Sequence, residues 1–262
     1  MKTLQLTRTL YLALVAGFFL TACDAEGILP CENGDGTRVS EARTETGFDK
    51  ILLDLPGDVY ISQGQDFAME ITAQQNIIDE IETQVTGSLL EIKNNRCIRS
   101  YKTIRIDITL PDLSSLEVDG SGDIYVLDRF TGSNLDLFVK GSGSIDMLGD
   151  YQKVYVEVDG SGDISMDTEA IEFETRIKGA GDVFLTGETQ IHNIDMDGSG
   201  NMESFDFVSE VCDVRIEGSG DADIHVIDEL SVRILGSGDV RYKGTPSVDA
   251  SITGSGQLES VN

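Results

Sequence analysis

Eight times between Gly120 and the C-terminus the chain writes Gly-Ser-Gly or Gly-Ala-Gly, and the interval hardly changes. The triplets begin at Gly120, Gly141, Gly160, Gly179, Gly198, Gly218, Gly236 and Gly254, at spacings of 21, 19, 19, 19, 20, 18 and 18 residues. A fixed period of this size marks a repeat architecture. Between triplets, apolar and polar residues alternate with the period of two that strands require. A strand and a tight corner returning every ~19 residues describe one coil of a β-solenoid, so the predicted fold class is an all-β, single-stranded parallel β-helix.

The columns of the repeat support that reading. Two residues before each triplet stand Val118, Val139, Val158, Ile177, Met196, Ile216, Ile234 and Ile252; four after its first glycine stand Ile124, Ile145, Ile164, Val183, Met202, Ala222, Val240 and Leu258. The positions between are mostly charged or small and polar. Residues two apart on a strand share a face, so the apolar columns point inward and become ladders of like side chains. Glycine at the corners suits positive φ and leaves room where coils stack. The residue after each triplet is Asp123, Ser144, Asp163, Asp182, Asn201, Asp221, Asp239 or Gln257. Such residues bond to nearby backbone amides in turns. Calcium is the sharper alternative for Asp123, Asp163, Asp182, Asp221 and Asp239, because stacked carboxylates attract divalent cations. The column is broken by Ser144, Asn201 and Gln257, however, and no metal site is assigned.

The chain opens with Lys2 and Arg8, an apolar run from Leu10 to Leu20, and Leu20-Thr21-Ala22-Cys23. The run is shorter than the ~20 residues that span a bilayer and reads as a signal-peptide core. Leu-Thr-Ala-Cys resembles the bacterial lipobox, which implies that Cys23 is the lipid-bearing first residue of the mature protein. The expected organisation is then a signal peptide over 1–22, a lipid-anchored flexible tether over 23–36, a β-rich cap with the first coils over 37–113, and the repeat over 114–262. Of the remaining cysteines, Cys212 falls on an apolar column with Leu135, Val154, Phe173 and Leu230, whereas Cys31 and Cys97 lie in polar surroundings. An exported chain meets an oxidising compartment, and the expected disulfide joins Cys31 to Cys97 with Cys212 a buried thiol.

In the N-terminal third, Gly57-Asp58-Val59-Tyr60-Ile61 copies Gly122-Asp123-Ile124-Tyr125-Val126. Phe67–Ala73 and Ile104–Leu110 read as strands, 76–85 as either strand or short helix, and Leu89–Ile92 as the second arm of a hairpin about Thr86-Gly87-Ser88. An atypical segment of this kind is what closes the end of a solenoid. Phe48-Asp49-Lys50-Ile51, the Gly57–Ile61 stretch, Leu110-Pro111-Asp112-Leu113 and the Gly-Ser-Gly-Asp series together resemble the "putative auto-transporter adhesin, head GIN domain" family of Bacteroidota, over roughly residues 40 to 262. The resemblance implies a right-handed β-helix, the hand that parallel crossovers generally take, and a role at the cell surface.

Function is constrained mostly by charge. The chain has 47 acidic and 19 basic residues, a formal charge of −28. Such a field repels phosphate backbones, which excludes nucleic acid as a partner. No zinc spacing, phosphate loop or nucleophile elbow is present, and His192 falls on the Cys212 column, a core position. No cofactor is expected. The reading is a non-enzymatic envelope lipoprotein, on the outer membrane at the cell surface or its periplasmic face. It would act in binding, adhesion or structure, with glycans, envelope proteins or another copy of itself as partners. A polysaccharide-processing β-helix enzyme and an envelope-stress accessory protein are the alternatives.

Overall fold

Residues 31–261 are described by a computed structural model, and one compact unit begins at Glu32. Cys23 and the leader lie outside the described residues. The cap contains β1 (Glu32–Asn33), β2 (Arg38–Arg43), β3 (Lys50–Asp54), β4 (Asp58–Gln63), β5 (Ala68–Gln74), helix α1 (Gln75–Ile78), β6 (Ile81–Thr86), β7 (Leu89–Asn94), β8 (Ile98–Ser100) and β9 (Arg105–Leu110). The repeat contains β10 (Ser115–Val118), β11 (Ile124–Val126), β12 (Phe130–Val139), β13 (Ile145–Val158), β14 (Ile164–Ile177), β15 (Val183–Met196), β16 (Met202–Ile216), β17 (Ala222–Ile234), β18 (Val240–Lys243), β19 (Ser247–Ile252) and β20 (Leu258–Ser260). The chain is a β-solenoid of about 8 turns with ~19 residues per coil, as the period predicts.

Each coil has a strand before the glycine corner and a strand after it. The strands before the corner stack in parallel as β7, β3, β10, β12, the C-terminal halves of β13–β17, and β19. Those after it stack as β9, β4, β11, the N-terminal halves of β13–β17, β18 and β20. The order in space is therefore not the order in sequence. The coil of β3 and β4 lies between that of β7 and β9, which follows it in the chain, and that of β10 and β11. The connection runs through β5, α1 and β6, of which β5 pairs antiparallel with β9 and with β2, and β6 with β7. Ile77 and Ile78 of α1 are fully buried, so the short helix helps close the apolar interior at the end where a parallel stack would otherwise expose it. The ambiguous segment thus divides into helix Gln75–Ile78 and strand Ile81–Thr86, and the expected hairpin turns at Gly87 with φ 64°. Part of the segment read as tether is structured: the Glu32 N–H donates to the Cys97 carbonyl at 2.7 Å and the Gly34 N–H to that of Ser100 at 2.5 Å, adding β1 beside β8.

The interior columns are buried from Ile51 and Leu53 through to Val232 and Ile234. Of the two constraints expected at the corner glycines, positive φ and room for stacking, only the second applies. None of those in the triplets has positive φ; the described positive-φ glycines are Gly36, Gly47, Gly87, Gly187 and Gly244. Contact is what requires them. A Cβ on Gly181 would sit 1.9 Å from the carbonyl oxygen of Gly162, and one on Gly143 1.9 Å from that of Gly122. Those carbonyls are near because the backbone bonds across the corners: the Ser142 N–H donates to the Gly120 oxygen at 3.0 Å and the Ala180 N–H to the Gly160 oxygen at 2.9 Å.

Candidate functional site

The acidic column beside the corners is structural in its geometry. Each side chain accepts a hydrogen bond from the backbone N–H one coil further along: Ser144 to Asp123 at 2.8 Å, Asp182 to Asp163 at 2.8 Å, Asn201 to Asp182 at 2.6 Å, Asp239 to Asp221 at 2.7 Å and Gln257 to Asp239 at 2.7 Å. Ser144 and Asn201 continue the series as acceptors, at 3.2 Å and 3.0 Å. The bond to an amide was expected within the same turn; it runs to the neighbouring coil instead, since the stacked corner presents its N–H groups along the solenoid axis. Among the described residues no group of three or more His, Cys, Asp or Glu is placed to hold a metal ion.

Two titratable groups of kinds that catalysis often uses, His192 and Cys212, are in the core. His192 is buried, its ring edge-on to Phe173 and Phe207 at 5.3 and 5.4 Å, with Nε2 hydrogen-bonded to Thr175 Oγ1 at 3.0 Å. Burial alone lowers its pKa to about 3, so it stays neutral. Cys212 is a buried free thiol, and burial raises its pKa well above the usual value. Cys31 and Cys97 are each disulfide-bonded. Several basic residues pair with neighbouring acids: Arg176 with Glu174, Lys178 with Glu157, Arg215 with Asp195 and Glu217, and Arg241 with Asp223.

The feature left exposed is the second corner of the coils. Midway along β13 to β16 the inward–outward alternation breaks, and two successive residues face out: Gln152 and Lys153, Ile171 and Glu172, Gln190 and Ile191, Glu210 and Val211. The ladders skip one pair there, between Ala170↔Thr189 and Glu172↔Ile191 and again between Thr189↔Ser209 and Ile191↔Val211. A cleft of about 450 Å³ opens along this edge, lined among others by Glu169, Ile171, Glu188, Gln190, Glu210 and Ile227. Its lining contains four carboxylates and neither Lys nor Arg. Ile171, Ile191, Val211 and Ile227, on four consecutive coils, are 45%, 39%, 36% and 45% exposed. Alternation counted back from Phe173 would turn Ile171 inward, although it puts Ile191 and Val211, directly before buried His192 and Cys212, outward. The paired outward positions at constant offset from the triplets are the signal that reveals it.

The chain matches the family described as "Putative auto-transporter adhesin, head GIN domain" over residues 47–246. It belongs to that family. Solved structures share the GIN-domain fold. One, described as a "putative adhesin" from Parabacteroides distasonis ATCC 8503, has a TM-score of 0.82 at 24% identity, covering 87% of this chain and 99% of that one. Another "putative adhesin", from Parabacteroides merdae ATCC 43184, has a TM-score of 0.83 at 20% identity, covering 88% and 99%. A third, from Parabacteroides distasonis ATCC 8503 and described as a "Putative lipid binding protein", has a TM-score of 0.78 at 21% identity, covering 89% and 100%. No curated protein matches the chain. No helix among the described residues is long and apolar enough to cross a membrane.

Proposed function

We propose that this GIN-domain chain is an exported lipoprotein of the cell envelope, anchored through Cys23, whose solenoid flank binds other molecules at the cell surface without converting them. The observation that carries the reading is the edge cleft, where exposed apolar and acidic side chains recur on consecutive coils. Such an edge presents apolar and acidic groups on coils spaced ~4.8 Å apart. It suits extended or multivalent contact, in which several weak sites act together. The family description and the solved relatives described as adhesins support the same class of role. The rival is a β-helix enzyme acting on polysaccharide, and one experiment separates the two. The lipid-free chain is incubated with bacterial cells and a panel of polysaccharides, and both retention and reducing-end release are measured. Retention without release is the expected result. Reproducible release that disappears on changing a single Asp or Lys would overturn the proposal.

A further inference from the structure

We infer that the edge cleft and the corner beside it receive a cationic amphipathic helix, lying along the solenoid axis with its apolar stripe over Ile171 and Ile227, which line the cleft, and over Ile191 and Val211, one ladder position beyond Ile171, and with its basic residues against Glu169, Glu188 and Glu210. The inference rests on the binding reading above and names the partner's chemistry. Three features converge on it.

Charge is the first. Glu169 and Glu188 are direct partners in the parallel ladder, and like charges set opposite one another destabilise a sheet. At the near end of the row Arg129 pairs with Asp150 and Asp167. Glu169, Glu188 and Glu210 make no ion pair among the described residues, although fourteen such bridges occur elsewhere. A cationic partner would relieve that repulsion. Charge complementarity also separates the occupants. A second copy related by a two-fold axis would bring the same carboxylates against themselves, and an anionic lipid surface would be repelled.

Apolar area is the second. Of ten large hydrophobic side chains exposed among the described residues, four stand on this one edge. An aliphatic stripe flanked by acids is the counterpart of an aliphatic stripe flanked by Lys or Arg, the helix-in-groove mode of recognition.

Pitch is the third. Coils repeat at ~4.8 Å, and an α-helix advances ~5.4 Å per turn. One helical turn therefore meets one coil, and over the three intervals spanning β14 to β17 the mismatch accumulates to only ~2 Å. An extended strand laid in the same direction places same-face residues ~6.6 Å apart and drifts out of register about three times faster.

The test uses the full lipid-free chain and a synthetic helical peptide of about 14 residues, with one leucine per turn and lysines flanking the stripe. A peptide of identical composition but shuffled order serves as control, because an acidic protein attracts any cation. Fluorescence anisotropy is expected to give binding at least about tenfold tighter for the patterned peptide, weakening about tenfold when salt rises from about 0.05 to 0.5 M. Two sets of exposed substitutions keep the result independent of folding, which is checked by circular dichroism: Glu169→Gln/Glu188→Gln/Glu210→Gln, and Ile171→Ser/Ile191→Ser. Each should weaken the patterned peptide about tenfold while leaving the shuffled one unchanged. Equal affinity for the two peptides would overturn the inference, as would retained affinity in both variants. Binding to anionic vesicles, or dimerisation abolished by the same substitutions, would overturn it in favour of a different occupant. If the peptide fails while the chain still clings to cells or polymer, this inference falls and the broader binding reading stands.

Discussion

Replacing Gly181 by alanine separates two accounts of why the corners are glycine. Its φ is not positive, so if glycine served only backbone freedom, alanine would stabilise the fold by roughly 0.4–1 kcal/mol through the unfolded chain. The stacking geometry predicts the opposite. The new Cβ would lie 1.9 Å from the Gly162 oxygen, whereas a carbon and a carbonyl oxygen approach comfortably only to ~3.3 Å. The coils must part by about 1.4 Å, the difference between those two distances. At this corner the Lys178 N–H donates to the Val158 oxygen at 2.8 Å and the Ala180 N–H to the Gly160 oxygen at 2.9 Å. Losing two or three such bonds costs about 2–4 kcal/mol. Gly47 is the control. Its φ is 79° and nothing stands within 4 Å of its Cβ position, so alanine there carries only the left-handed backbone penalty of about 1–2 kcal/mol. The middle residue of the same triplet is already an alanine, Ala180, so the corner tolerates a Cβ one position away. Urea unfolding followed by circular dichroism and fluorescence, with the slope checked for constancy, should rank Gly181→Ala well below Gly47→Ala. A Gly181→Ala protein that unfolds at or above the wild-type midpoint would refute the contact argument.

Four further outcomes are expected. Asp182→Ala removes the acceptor of the Asn201 N–H and should cost about 1–3 kcal/mol, while Asp182→Asn keeps an oxygen there and should recover most of it in the same urea assay. His192 has its folded pKa lowered from 6.5 to about 3, so the unfolded state takes up a proton that the folded state refuses. Stability is complete above pH 6.5 and lost as pH falls toward 3, about 2 kcal/mol by pH 5; His192→Leu should flatten that slope between pH 7 and 5. Non-reducing peptide mapping is expected to join Cys31 to Cys97, and native alkylation to miss Cys212; a Cys212-linked peptide contradicts the pairing. Metabolic labelling with a fatty-acid analogue should mark the wild type and spare Cys23→Ala, and equal labelling of both would remove the anchor.

The repeat was legible because its two determinants are local: apolar residues at alternate positions and glycine where backbones touch. Both the eight triplets and the buried columns follow from them, including Cys212 and His192. The cap was legible only as a cap. Its strands β5, β6 and β7 have no triplet to set their place, so nothing in the chain's order shows that β7 and β9 stack outside β3 and β4. The edge cleft was hidden for another reason. Alternation is read by counting in twos, and at Ile171 and Glu172 the count slips by one, turning a residue that looks like core into surface.

The swapped position of β3 and β4 has a consequence for how the chain acquires its fold. Ile51 and Leu53 are flanked on one side by Leu90 and Ile92, and on the other by Leu116 and Val118. Both neighbours emerge later in synthesis, so the first coil to leave the ribosome is a two-sided template with both edges waiting. Joining Leu53 to Val118 closes a loop of 65 residues, the slow and entropically unfavourable step of assembly. After it, each coil from β12 onward docks on the one just made, at a separation near 19 residues, and growth proceeds in one direction only. The polarity is built in. A chain cut short after any later corner retains its seed, while one that loses 50–61 has nothing on which to begin.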